Sequence, residues 1–199
     1  MNLKTSLWIL VSLLPNAALA QHLSFGAVAG AGVTDAFQDL TVPGLNARTH
    51  FFSDSKDFIL GPMLDVGLPL GASVEFDILY RPLHLTTATL VTVAPSSTSS
   101  TSVGAWEFPL LLKYRFPVPI PFLKPLVEAG PSFRAGSGAG ASPSKHGITI
   151  GVGVEAKILK LKLAPQLRFT RWGSDNPSLL LASPVTNVNQ AEFLVGLSF

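Results

Sequence analysis

The stretch that decides the fold is Trp106-Glu-Phe-Pro-Leu-Leu-Leu-Lys-Tyr-Arg-Phe116. Read at every second residue, it separates into two unlike faces. One carries Trp106, Phe108, Leu110, Leu112, Tyr114 and Phe116; the other carries Glu107, Pro109, Leu111, Lys113 and Arg115. A period of two is the period of a β-strand whose faces meet different surroundings. Outward from this stretch the pattern repeats. Val74, Phe76, Ile78 and Tyr80 oppose Ser73, Glu75, Asp77, Leu79 and Arg81, and Ile148, Ile150, Val152, Val154 and Ile158 oppose Thr149, Gly151, Gly153, Glu155 and Lys157. The last run sets Phe193, Val195, Leu197 and Phe199 against Glu192, Leu194, Gly196 and Ser198.

Eight such segments lie near 23–33, 58–68, 73–83, 103–116, 122–134, 147–158, 161–172 and 190–199. With parity set by the apolar residues, the polar face collects Asp65, Glu75, Asp77, Arg81, Glu107, Lys113, Arg115, Lys124, Glu128, Arg134, Glu155, Lys157, Lys162, Arg168 and Glu192. Only Arg171 falls on the apolar face. Short connections at 69–72, 117–121 and around Lys160 alternate with long ones at 34–57, 84–102, 135–146 and 173–189, which are rich in Ser, Thr, Gly, Asn and Asp and are expected as loops. Pro62, Pro109, Pro125, Pro131 and Pro165 stand inside the segments, and each is expected to cost a ladder bond or force a bulge.

Alternation fits a barrel with an apolar inside or an apolar outside. Composition separates the two. Charged residues are 13% of the 199-residue chain, hydrophobic residues 47%, and the mean hydropathy is +0.42. A water-facing outer wall needs more charge than this. Glycines 26, 30, 32, 61, 67, 130, 151, 153 and 196 share the polar face with long charged side chains, which suits a narrow, filled interior. From Trp106 to Phe116 the strand covers roughly 33 Å, or about 25 Å along the axis after tilting, the height of a lipid-facing band between aromatic girdles. The expectation is an all-β, transmembrane, up-and-down antiparallel β-barrel of eight strands, with short periplasmic turns and long extracellular loops.

The first twenty residues have their own logic. Lys4 gives a positive start, Ser6 to Leu14 an apolar core, and Ala18-Leu19-Ala20 a cleavage triplet before Gln21, the three parts of a secretory signal peptide. Residues 1–20 are therefore expected as a leader and 21–199 as the barrel domain.

Reaction chemistry is hard to find. The chain contains no Cys, which excludes disulfides, thiolate metal sites and thiol nucleophiles. No GxSxG, HExxH, Walker or EF-hand pattern occurs. A net charge of +2 leaves no nucleic-acid footprint. His22, His50, His84 and His146 stand at strand ends or in loops without ligand spacing, and Gly136, Gly138 and Gly140 lack the strand-to-helix context of a phosphate cradle. Asp35, Asp39, Asp54 and Asp57 crowd the first long connection, where a calcium ion is an alternative to solvated carboxylates. No metal, cofactor or catalytic residue is expected.

The whole segment after the leader resembles the small eight-stranded outer-membrane β-barrel proteins of diderm bacteria, the OmpA/OmpX-type group. The resemblance is carried by the C-terminal Phe193-Leu-Val-Gly-Leu-Ser-Phe199, and by Glu107 to Arg115, Ala129 to Arg134 and Ala164 to Trp172. It implies that Phe193, Val195, Leu197 and Phe199 are read by the barrel-insertion machinery after escort by periplasmic chaperones. It also implies an outer-membrane location among phospholipid and lipopolysaccharide, as a monomer. Seven acids facing eight bases predict a lumen closed by ion pairs. The expected role is structural or surface recognition through the loops. The alternatives are a narrow channel for ions or small solutes, or a lipid A-modifying enzyme using His84 or His146 with a loop serine.

Overall fold

In the computed structural model the alternating segments become strands of one closed antiparallel barrel. Residues 23–34, 40–43, 47–54, 58–91, 97–120, 122–136, 144–173 and 188–199 are described. The strands are β1 Leu23–Gly32, β2 Leu40–Pro43, β3 Ala47–Asp54, β4 Phe58–Gly67, β5 Ala72–Asp77, β6 Leu79–Val91, β7 Ser97–Arg115, β8 Leu123–Gly136, β9 His146–Ile158, β10 Leu161–Trp172 and β11 Asn189–Ser198. Around the barrel the order is β1, β4, β5 with β6, β7, β8, β9, β10, β11 and back to β1, so eight staves close on themselves. No α-helix occurs among the described residues.

β5 and β6 are one stave. Both pair with β7 in a single register, from Ala72↔Tyr114 to Leu79↔Glu107 and beyond. The break between them has a chemical cause. The register puts Pro62 of β4 opposite Ile78 and Pro109 of β7 opposite Asp77, so two ladder donors are missing at one place. Pro131 and Pro165 interrupt the β7–β8 and β9–β10 ladders in the same way, while Pro125 still accepts from the Phe116 N–H at 2.9 Å. In every case the register continues unchanged past the proline. The cost is a missing bond, and no bulge forms.

The registers also set the tilt. Gly32 pairs with Glu192, Glu192 with Arg168, Arg168 with Gly151, Gly151 with Glu128, Glu128 with Lys113, Lys113 with Ser73 and Ser73 with Gly67. Gly67 follows Val66, which pairs with Leu23, so the circuit re-enters β1 ten residues below its start. For eight strands that stagger corresponds to a tilt of about 40°.

Two expected loops contain strands. Within 34–57 the chain forms β2 and β3, and within 84–102 β6 and β7 run on beyond the barrel as a hairpin paired as far as Thr89↔Ser97. β3 lies along β6 from Asp54↔His84 to Ala47↔Val91, and β2 lies along β3. A four-stranded apron thus rises past the end of β8 at Gly136. The Ser/Thr-rich composition that suggests a loop hides Thr and Val, both strong strand formers, and a ladder already started in the barrel extends them at little entropic cost. Residues 137–143 and 174–187, in the other two long connections, lie outside the described residues, as do residues 1–22 with the expected cleavage site at Ala18, Ala20 and Gln21.

Candidate functional site

The strands turn their charged faces inward. Asp65, Glu75, Asp77, Arg81, Glu107, Lys113, Glu128, Arg134, Glu155, Arg168 and Glu192 each expose 8% of their surface or less, and Arg115 is half-buried. The outer face is apolar on every stave: Phe25, Leu60, Phe76, Trp106, Leu110, Leu112, Phe133, Ile150, Leu167 and Phe193 are among its exposed side chains. Parity alone produces this sorting, because a one-residue slip would reverse it for a whole strand.

Inside, the charges form three tiers along the axis. At the end bearing the short turns, Arg115 lies 2.5 Å from Asp65 and 2.6 Å from Glu155, and its Nη1 donates to Ser73 Oγ at 2.7 Å. In the middle, Arg168 donates to Glu75 at 2.5 Å, Asp77 at 2.6 Å and Glu128 at 2.6 Å. Lys113 joins the same carboxylates, paired with Glu75 and 3.3 Å from Glu128. At the loop side, Arg81 pairs with Glu192 and stands 3.6 Å from Glu107, which Arg134 holds at 2.7 Å. The Arg134 guanidinium also stacks over Trp172, 3.8 Å from the ring centroid, and both it and the indole N–H donate to Gln190 Oε1.

Close packing of long side chains needs gaps in the wall. Gly151 faces Glu128, and a Cβ there would stand 2.5 Å from Glu128 Oε1. Gly147 does the same for Trp172, whose ring lies 2.9 Å from the position a Cβ would take. The bore also holds a chain of hydroxyls, Ser132, Thr149 and Thr170, linked at 2.6 and 2.7 Å, and an apolar patch of Val28, Ile59, Met63, Leu79 and Leu194.

The structure thus brings twelve of the fifteen expected lumen residues into this network: seven acids and the bases Arg81, Lys113, Arg115, Arg134 and Arg168. Three lysines stand apart. Lys124 and Lys157 are exposed at the turn-side mouth and make no ion pair among the described residues, and Lys162 donates to Ser24 Oγ at 2.8 Å. Their flexible stems reach water from a strand end, where solvation of the ammonium outweighs burial beside an acid. Arg171, which parity places on the outer face, is exposed on β10. Trp172 and Gln190 were not singled out from sequence, although Trp172 shares the parity of Arg168 and could have been placed inside by that rule.

Phe193, Leu197 and Phe199 are exposed on the outer face, with Val195 half-buried between neighbours. The Phe199 N–H donates to Phe25 O at 3.1 Å, fastening the C-terminus across the seam to β1. Of the histidines, His146 is exposed at the start of β9, and His22 lies outside the described residues. Among the described residues no group of three or more His, Cys, Asp or Glu is arranged to hold a metal ion. Comparison with protein-family models and with curated proteins finds no match to this chain.

Proposed function

We propose that this chain is an integral outer-membrane β-barrel of the OmpA/OmpX kind, exported by cleavage after Ala20. In this reading it inserts as a monomer with its turns toward the periplasm, and it acts without catalysis, as a stable stand for a recognition surface on the loop side. The observation that carries the reading is the reversed distribution of polarity. Charges fill the interior, and large apolar side chains cover the exterior of all eight staves, an arrangement stable where the outer solvent is hydrocarbon. The interlocked tiers favour a plugged bore over a channel, since an eight-stranded barrel is just wide enough for its inward side chains to fill. The apron of β2, β3, β6 and β7 supports recognition at the loop side, because it presents strand backbone beyond the barrel.

The test is reconstitution of the mature chain. Expected are resistance to carbonate extraction from vesicles, a compact band on unboiled gels that shifts on boiling, and no stable conductance in planar bilayers. Steady single-channel currents, with ion selectivity changed by Glu128→Ala, would overturn the plugged-bore reading in favour of a channel.

A further inference from the structure

The turn-side mouth collects positive charge that no ion pair among the described residues neutralises. Lys124 on β8, Lys157 on β9 and Lys162 on β10 occupy three neighbouring staves, with Lys160 in the turn between the last two. Lys157 and Lys162 are direct cross-strand partners, a like-charge pairing that repels. Lys124 pairs with Glu155, two residues from Lys157, so it is a diagonal neighbour about 7–8 Å away. The acids of this end, Asp65 and Glu155, are both held by Arg115 at 2.5 and 2.6 Å, and among the described residues none of the four lysines has an ion-pair partner.

We infer that Lys124, Lys157, Lys160 and Lys162 form a phosphate site, filled by phospholipid headgroups of the turn-side leaflet. This rests on the membrane reading above. Ammonium groups on flexible stems, free of any partner carboxylate, suit a compact oxyanion approached from several sides. The apolar exterior names the source. On the same sector Val154, Ile158 and Leu161 carry the apolar face down to the end of the strands. Beyond them the turn tip is apolar as well: Leu159 is 91% exposed at φ 58°, and across the barrel Leu70, in the Pro69–Gly71 turn between β4 and β5, is 92% exposed at φ 64°. Such exposed leucines are costly in water and at home at the acyl–headgroup boundary, and from the rim of the strands the flexible lysine stems reach the phosphates of that layer.

The experiment is native mass spectrometry of the full mature barrel, released from micelles doped equally with dioleoylphosphatidylglycerol and dioleoylphosphatidylcholine. The wild type is expected to retain the anionic lipid preferentially. The triple variant Lys124→Gln, Lys157→Gln, Lys162→Gln should lower that preference about tenfold, the loss of one or more charge-assisted contacts. Lys145→Gln, exposed at the loop side, should leave it unchanged. Equal retention of both lipids by the wild type, or an unchanged preference in the triple variant, overturns the inference. A compact unboiled band verifies that the variant folds, and the single variant Lys157→Gln, expected to give a smaller drop, replaces it otherwise. A second arm compares thermal unfolding in inorganic phosphate and in chloride at equal ionic strength. A phosphate-dependent rise that needs the lysines, without any lipid preference, would overturn the headgroup assignment in favour of a soluble anion. Failure of the membrane reading itself is seen separately, as loss of the barrel to the carbonate-soluble fraction.

Discussion

Arg168 donates to three carboxylates at once, from Nε, Nη1 and Nη2, while among the described residues no other interior base reaches more than two. Arg168→Ala leaves Glu75, Asp77 and Glu128 with Lys113 alone in a tier closed to solvent. The expected cost is about 3–5 kcal/mol, the typical result of stranding a buried charge, measured as a drop in the denaturant midpoint of the refolded barrel. Arg168→Lys keeps the charge but loses the planar fork, so its midpoint should fall between the two. Outside, Leu110 sits midway along the outer face of β7 between Trp106 and Tyr114, 43% exposed. Leu110→Arg should cost about 2–4 kcal/mol in a lipid-vesicle refolding titration if that face meets the bilayer midplane, and no loss would contradict the lipid-facing assignment.

At the scale of the element, β11 and the proline-bearing strands are the informative cases. β11 is the last stave and closes the seam on β1, with seven register pairs from Gly26↔Ser198 to Gly32↔Glu192 and a final bond from Phe199 to Phe25. Deleting Phe199 removes that bond and the terminal aromatic together. The heat-modifiable fraction in outer-membrane preparations should fall while export of the chain is unchanged; unaltered assembly would remove the C-terminal argument for the family. The prolines were legible as defects but their form was not. Whether Pro62 and Pro109 produce a bulge or a gap depends on what stands opposite, and here they flank Asp77–Ile78 from either side, Pro62 opposite Ile78 and Pro109 opposite Asp77, concentrating two missing donors in one interruption.

For the whole molecule, closure and export can be checked together. The mature chain is expected to begin at Gln21; mass spectrometry of the membrane fraction finding an intact Met1 would refute the leader. The tiers divide the axis into a turn-side group around Arg115, a central group around Arg168 and Lys113, and a loop-side group around Arg81 and Arg134. Any open water path would have to part all three, each held by several contacts from different strands.

Parity along each strand sorted the residues of eight staves onto two faces, and the low charge content, which turns the apolar face outward, then decided the side on which each strand charge lies, because a period of two admits only two orientations. Glu107, Lys113 and Arg115 are assigned inward by the same residues that place Trp106 and Leu110 outward. Which charges meet was decided only by the tertiary structure. The stagger brings β5, β8 and β10 into one level, and this stagger, a property of the closed sheet, joins Arg168 to Glu75, Asp77 and Glu128. It also leaves Lys124, Lys157 and Lys162 at a mouth where water competes with burial, so that lysines indistinguishable from Lys113 by parity take no part in the network. The apron belongs to the tertiary structure too: its Ser and Thr residues read as loop by composition, and they become strand because β6 and β7 extend a ladder the barrel has already begun.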